Sequence, residues 1–300
     1  MIWRLDFTEE KAVRAQKAKV EEEDLVGFVR GRLGLDLDEQ QERLLREGGS
    51  RVLVNCARQW GKSTVTAAKV VHRAWTESGT TVLVVSPCER QSVEFMQKVK
   101  GYLRKLGAVV KGDGGHRLSV KLGNGSRIVG LPGVEATVRG FSAVSLVVVD
   151  EAARVKEEMF LAVRPMLAVS EGDLWLLSTP AGQSGYFWDA WSFGGEYWKR
   201  VQVRADECGR ISKAFLEKER AGMTEKQFGQ EYLCEFNEVD GGVFDPAAVR
   251  DMWDECRGVG DLVTRAEGGR DGGEAILRWG GFGATPGLHG DSGFGTGGGA

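Results

Sequence analysis

The feature that most constrains the fold of this chain is a short stretch that ends in Gly-Lys-Ser-Thr. An apolar run at 52–54 precedes it, and a segment with helical spacing at 65–75 follows it. A strand, a tight loop and a helix in this order form a phosphate-binding P-loop, because the first N–H groups of a helix lack partners and the helix dipole adds positive potential. The predicted loop stretch consists of Cys56, Ala57, Arg58, Gln59, Trp60, Gly61, Lys62, Ser63 and Thr64.

Two side chains near the end of this stretch have defined tasks in a P-loop. Lys62 would reach the β- and γ-phosphates, and the Ser63 hydroxyl would bind Mg²⁺. One position departs from the usual pattern, because Cys56 stands where the first glycine is expected. Loose versions of the pattern arise by chance, so the surrounding sequence has to decide.

The composition limits the class of protein. At 300 residues the chain can form one large domain or two small ones. Because its net charge is −3, contact with nucleic acid would need a local basic patch. Its five cysteines include no C-x-x-C pair, which argues against a zinc site or a disulfide framework and is typical of a reducing cytosol. We expect neither a signal peptide nor a membrane span, because no long apolar run occurs.

Apolar runs alternate with helical patterns through the middle of the chain. A hairpin is predicted where 118–122 and 127–131 flank Asn124-Gly125. Strands separated by helices imply a mainly parallel sheet covered on both faces, so the predicted fold class is α/β. Strands are predicted at 51–56, 80–86, 146–149 and 173–178, and helices at 62–76, 89–106 and, as a pair, within 212–236.

Polar residues follow two of these strands, at the sheet edge where the P-loop also lies. Ligands of parallel sheets bind at the carboxyl ends of strands. Asp150 can hold Mg²⁺ through water, and Glu151 can orient and polarise the water that attacks a γ-phosphate. The hydroxyls of Ser178 and Thr179 can sense that phosphate or water. Alternatively, the two acids could only cap the following helix, and the two hydroxyls could only belong to a turn. Because both groups lie at the same sheet edge as the P-loop, we favour the functional interpretation.

Two arginines are candidates for phosphate contact. Arg58 lies inside the loop, where a guanidinium can contact the β- and γ-phosphates, although it could also be solvated. Arg139 precedes Gly140, whose tight turn would project the side chain outward. Arg139 could act as an arginine finger on the ATP of a neighbouring subunit or form a local salt bridge.

Two further clusters have both a functional and a structural interpretation. Residues 98–139 contain nine basic and two acidic residues, a surplus of seven positive charges. This surplus favours sequence-independent contact with DNA phosphates over a solvated face. Aromatic residues crowd 186–198, and we interpret them as a helix packed on the sheet rather than a base-stacking platform.

Together these segments resemble the ATPase domain of the large terminase subunits of tailed bacteriophages or prophages. That family commonly has Arg-Gln between the start of the loop and Gly-Lys, as Arg58-Gln59 stand here. The resemblance covers roughly 35–250 and rests on 56–63, 139–143, 147–153, 178–182 and 230–236.

The resemblance implies a RecA-like P-loop NTPase fold of the additional-strand, catalytic-glutamate type. Its activity would be ATP hydrolysis that drives double-stranded DNA into a procapsid, with ATP and Mg²⁺ bound. The implied partners are DNA, the portal protein, the small terminase subunit and further copies in a ring docked on the portal. No membrane is implied, and the location would be the cytoplasm of the bacterial host.

The resemblance also assigns residues. Gln41 matches the family's adenine-reading glutamine, although the usual Pro-x-Gln is absent and Gln40 is a rival. The implied nucleotide-binding set is Gln41 and residues 56–64. The implied metal ligands are Ser63 and Asp150. The implied catalytic set is Glu151, Lys62, Arg58, Arg139 and Thr179, where Arg139 matches an arginine that acts across subunits in some members.

Three segments are predicted along the chain. They are an N-terminal helical segment at 1–34, a P-loop ATPase domain at 35–240 with lid-like helices at 205–240, and a tail at 241–300. The tail holds 18 of the 43 glycines, so we expect it to be largely disordered.

Asp38 is predicted to cap a short helix that carries Gln41.

The family's large subunits continue into a nuclease domain, which the glycine-rich tail could not form, so we expect no DNA cleavage by this chain. One alternative is a DNA-dependent ATPase of the superfamily 2 helicase type, although nothing after 240 predicts the second RecA-like domain that helicases need. The other alternative is a catalytically silent prophage assembly protein, against which the filled catalytic positions argue.

Overall fold

The computed structural model describes residues 24–108, 110–112, 117–133 and 140–238, and the statements below concern these residues. The chain divides into two compact units, Met1–Val243 and Phe244–Ala300, and every described residue belongs to the first. Arg139, the predicted tail at 241–300 and most of the predicted helical segment at 1–34 therefore lie outside the described residues.

Strands and helices alternate along the described chain. The strands are β1 (Arg51–Cys56), β2 (Thr81–Ser86), β3 (Val110–Gly112), β4 (Ser119–Leu122), β5 (Arg127–Pro132), β6 (Val144–Asp150), β7 (Asp173–Ser178) and β8 (Lys199–Val203). The α-helices are α1 (Leu25–Gly31), α2 (Glu39–Glu47), α3 (Lys62–Thr76), α4 (Glu89–Lys105), α5 (Glu157–Val163), α6 (Gly185–Phe193), α7 (Lys213–Gly222) and α8 (Glu225–Tyr232). Short 3₁₀ turns occur at Ala152–Arg154, Arg164–Leu167, Gly195–Tyr197 and Ala205–Glu207.

The strands form one sheet in the order β3-β4-β5-β2-β6-β7-β1-β8. From β5 to β8 in this order all neighbours pair in parallel. At the other edge β4 pairs antiparallel with β5, which is the predicted hairpin around Asn124-Gly125, and β3 pairs antiparallel with β4. Strand β7 lies between β1, which leads into the predicted P-loop, and β6, which ends at Asp150. The predicted α/β fold with a mainly parallel sheet and an additional strand is thereby confirmed.

The strand register brings the functional ends to one level. Asn55 of β1 pairs with Ser178 of β7, and Asp150 of β6 pairs with Leu177 of β7. The last residues of three adjacent strands therefore lie side by side.

The continuous apolar runs are explained by burial on both faces of the sheet. Val52 and Val54 belong to one core, which includes buried residues of α1, α3 and α4. Leu53 belongs to a second core, which includes Phe160 of α5 and Phe187 of α6. Because alternate strand residues enter opposite cores, every position is apolar and no period-two pattern appears.

The aromatic segment packs as the sequence indicated. Phe187 is buried in the second core, and Tyr186 stacks on Phe160 with ring centroids 4.2 Å apart. Phe193 and Tyr197 remain exposed.

The short helix before β1 begins as predicted. The Asp38 carboxylate accepts a hydrogen bond from the Gln41 N–H at 2.8 Å, and Gln41 Oε1 accepts one from the Asp38 N–H at 3.2 Å. This reciprocal capping box fixes the Gln41 side chain beside the helix start. Among the described residues, no helix is both long and apolar enough to cross a bilayer.

We predict that His72 makes the protein less stable in acid. His72 of α3 packs edge-on against Phe28, with ring centroids 4.9 Å apart. Burial, with the nearby Lys69 and Arg73 charges, lowers the pKa of His72 from 6.5 to about 4. The unfolded chain therefore takes up this proton first as the pH falls, and stability is lost between pH 6.5 and 4, by at most about 3 kcal/mol.

Urea unfolding of the wild type and of His72→Gln at several pH values tests this. The neutral glutamine should remove this contribution, so the stability of the variant should fall less between pH 7 and 4. Equal slopes for the two proteins would contradict the prediction.

Candidate nucleotide-binding site

The predicted P-loop joins β1 to α3. Gly61 immediately precedes α3 and has φ 97°, a left-handed conformation that favours glycine. A Cβ atom at Gly61 would lie 3.0 Å from Gln41 Nε2, so the position is also crowded. Cys56, at the departure from the usual pattern, is buried, and burial raises the pKa of its thiol to about 12. The thiol is therefore uncharged at neutral pH and packs as an apolar group.

The Ser63 hydroxyl and the Asp150 carboxylate meet beside the loop. Ser63 Oγ donates to Asp150, with its two carboxylate oxygens at 3.0 and 3.2 Å. Burial raises the pKa of Asp150, although Lys62 opposes this effect. Among the described residues, no group of three or more His, Cys, Asp or Glu side chains is placed to hold a metal ion. One carboxylate with one hydroxyl is the small donor set that suits Mg²⁺, which keeps water and phosphate ligands.

Lys62 and Glu151 form an ion pair across the site. Lys62 Nζ lies 2.9 Å from Glu151 Oε1, and the two side chains are 12% and 20% exposed. Burial works to lower the pKa of Lys62, but the neighbouring Cys56, Glu151 and Asp150 together act in the opposite direction, and the pKa is raised. Lys62 therefore remains a cation at neutral pH.

Glu151 itself has an unusual backbone. Its φ of 55° and ψ of 44° are left-handed, which is uncommon for a residue with a side chain. Such strained residues persist where the surroundings hold them, and they cluster at functional sites. The strain thus marks the end of β6 independently of the motif.

Ser178 and Thr179 connect the two predicted motifs. Ser178 Oγ accepts a hydrogen bond from the Ala153 N–H at 3.2 Å, in the turn after Glu151. Thr179 Oγ1 donates to the Cys56 carbonyl at 3.0 Å, where the P-loop begins. Both hydroxyls are buried, and together they link the loop after β6 to the loop after β1.

Gln41 braces the P-loop from outside. Its Nε2 donates to the Trp60 carbonyl at 2.9 Å, and its Oε1 is committed to the capping box. Gln40, the rival, is half-buried, whereas Gln41 is buried against the loop. Arg210 also donates to the Trp60 carbonyl and pairs with Asp38 at 2.8 Å. Sequence reasoning missed Arg210, and no local pattern could reveal it because 150 positions separate it from Trp60.

Arg58 points toward the segment that closes the domain. Its guanidinium forms an ion pair with Glu231 of α8, and its N–H donates to the Glu231 carbonyl at 3.3 Å. Asn55 Nδ2 donates to the Cys234 carbonyl at 2.9 Å. Beside these contacts lies a cavity of about 510 Å³, and its lining residues are Arg58, Gln59, Arg210, Ile211, Ser212, Phe215 and Tyr232.

The predicted basic track is only partly described. Lys98 and Arg104 are exposed on α4. Lys100 donates to the Arg117 carbonyl at 2.9 Å, and Lys105 donates to the Leu33 carbonyl at 2.6 Å. Arg127 donates to Ser119 Oγ at 3.5 Å. At least three of the predicted cations therefore already have protein partners.

Strand β7 lies between β1, which leads into the P-loop, and β6, which ends at Asp150. This strand order is that of additional-strand P-loop NTPases. Comparison of the sequence with models of protein families identifies one family within this class. The family model described as "Terminase large subunit, T4likevirus-type, N-terminal" matches residues 53–249. The chain belongs to this family, and the predicted resemblance is confirmed.

Solved structures have the same fold. The large terminase ATPase domain of Thermus phage P74-26 is 20% identical with a TM-score of 0.62, over 69% of this chain and 96% of that chain. The large terminase of the thermophilic bacteriophage D6E in complex with ADP is 15% identical with a TM-score of 0.56, over 67% and 54%. The bacteriophage HK97 large terminase is 16% identical with a TM-score of 0.56, over 67% and 51%. The match thus spans about half of the latter two. No curated protein matches the chain.

We predict that Thr179→Val destabilises the protein by about 1–3 kcal/mol, because the buried Cys56 carbonyl loses a hydrogen-bond donor while the side-chain volume is retained. Urea unfolding measures the change. Thr179→Ser keeps the hydroxyl and serves as the matched control. If the valine variant were as stable as the serine variant, the hydrogen bond would not be a significant support of the loop.

Proposed function

We propose that this chain hydrolyses ATP and thereby drives double-stranded DNA into a phage procapsid. The observation that carries the proposal is the Lys62–Glu151 ion pair next to the Ser63–Asp150 pair, which join the start of α3 to the end of β6 across the intervening strand β7. Membership of the large terminase family supports the link to DNA packaging.

The phosphates of ATP would bind where α3 begins. The helix start supplies N–H groups and positive potential, and the Lys62 ammonium adds a full charge. Ser63 and Asp150 would hold Mg²⁺, which neutralises charge on the phosphate oxygens when bound. Lys62 would leave Glu151 and turn to the phosphates, because Lys62 and the bound phosphates would both lie at the start of α3.

Glu151 would act on the attacking water. Its carboxylate accepts a proton as the water oxygen forms a bond to the γ-phosphorus and the bond to the leaving ADP oxygen breaks. Thr179 and Ser178 connect the loop of Cys56 to the turn after Glu151, so a change at the phosphates would reach both loops.

The base and ribose would lie in the cavity beside the loop. Phe215 and Tyr232 offer aromatic surface there, and Arg210 offers hydrogen-bond donors. Gln41 would act mainly by holding the Trp60 carbonyl rather than by reading adenine, since both ends of its amide have protein partners.

The remaining roles follow from the family. Exposed Lys98 and Arg104 are suited to DNA phosphates. Copies of the chain would assemble in a ring on the portal protein, and the small terminase subunit would be a further partner in the host cytoplasm.

We predict that Glu151→Gln binds ATP with nearly wild-type affinity but lowers turnover by at least about 100-fold, because it loses the proton acceptor. Lys62→Ala should instead weaken ATP binding by about tenfold or more, because a charged contact is lost. Phosphate release and equilibrium binding of a fluorescent ATP analogue measure the two effects. Glu158→Gln, on the exposed face of α5, is the control. If the wild type shows no turnover with or without DNA, the proposed function is wrong.

Arg139 is proposed to act on the ATP of a neighbouring subunit. Gly140, which follows it, has φ 127°, consistent with the predicted turn. Arg139→Ala should lower turnover, by about 10³-fold or more for an arginine finger. Mixing it with Glu151→Ala protein should partly restore activity, since each variant supplies what the other lacks. Failure of the mixture to exceed the summed activities would favour a local salt bridge.

A further inference from the structure

The Glu151 carboxylate contacts a second cation besides Lys62, namely Arg154 in the turn that follows Glu151. The Arg154 N–H donates to the Glu151 carbonyl at 2.9 Å, and this closes the 3₁₀ turn Ala152–Arg154. The Arg154 guanidinium then reaches back, with Nη1 2.9 Å from Glu151 Oε2. The turn is fixed to β7 because the Ala153 N–H donates to Ser178 Oγ. Arg154 therefore approaches Glu151 from an anchored position.

The two oxygens of Glu151 have different partners. Oε1 faces Lys62 at 2.9 Å, and Oε2 faces Arg154 at 2.9 Å. Lys62 belongs to the phosphate-binding helix, whereas Arg154 belongs to the Glu151 turn. If Lys62 turned to the phosphates of bound ATP, Oε1 would lose its contact with Lys62, whereas Oε2 would keep its contact with Arg154.

We propose that Arg154 is a positioning residue that holds the Glu151 carboxylate so that Oε1 faces the attacking water. The proposal rests on the proposed function. Without Arg154 the carboxylate would be free to rotate about its last side-chain bond once Lys62 has left. A misplaced catalytic group can slow a reaction by about 100-fold while substrate binding is retained.

A purely stabilising role is the simpler alternative. Arg154 is 33% exposed and three positions from Glu151, and exposed pairs of this kind contribute little to stability. Removal of Arg154 should thus leave the fold intact. A second alternative is that Arg154 leaves Glu151 to bind the γ-phosphate, which would make it important for the affinity for ATP but not for ADP.

The test compares Arg154→Ala and Arg154→Lys with the wild type in the full chain. The measurements are kcat and KM of ATP turnover, single-turnover hydrolysis, equilibrium binding of ATP analogue and ADP, and thermal unfolding. Arg90→Ala is the matched control, because Arg90 forms an exposed ion pair with Glu94 on α4, far along the chain from Glu151.

Arg154→Ala is expected to lower kcat and single-turnover hydrolysis by about 10-fold to 100-fold. KM, both nucleotide affinities and the melting temperature should stay close to wild type, and Arg154→Lys should recover part of the rate. Unchanged turnover, a fall in stability that accounts for the loss, or selective loss of affinity for ATP over ADP would each overturn the proposal. Absence of turnover in the wild type would overturn the proposed function and this proposal together, whereas the other outcomes leave the proposed function intact.

Discussion

The parallel pairing of β7 with both β1 and β6 sets the geometry of the candidate site. Backbone hydrogen bonds bring the ends of three strands to one level, and burial of both sheet faces prevents the strands from sliding. Ser63 and Lys62 at the start of α3 then meet Asp150 and Glu151 at the end of β6. Each short distance in the site depends on this register.

Within that geometry, the positive charge of Lys62 compensates the negative charges of two neighbouring carboxylates. Buried carboxylates are unfavourable unless a cation is near, and Lys62 supplies that cation to Glu151 and opposes the burial effect on Asp150. A triphosphate would compete for the same ammonium. The ion pair therefore keeps a charged lysine beside the partly buried Glu151 and the buried Asp150, and this lysine would be available to a ligand.

The sheet and the motif residues could be predicted from sequence because they depend on local patterns. Continuous apolar runs predicted β2, β6 and β7, and the order of side chains predicted that Asp38 caps the helix that carries Gln41. Strand β8 was missed, because Lys199–Val203 is a half-exposed edge strand with two adjacent cations. Contacts such as Arg58–Glu231 join residues 173 positions apart, so only tertiary packing determines them.

The bracing of the P-loop has a consequence for ligand affinity. Gln41 and Arg210 hold the Trp60 carbonyl, and the loop N–H groups of Ala57 and Arg58 donate to the Val203 and Glu231 carbonyls. Ordering one backbone residue costs about 1–2 kcal/mol in lost conformational entropy. Because folding has already fixed this loop, a phosphate that binds there would meet a preorganised site, and little of its interaction free energy would be consumed in ordering the loop.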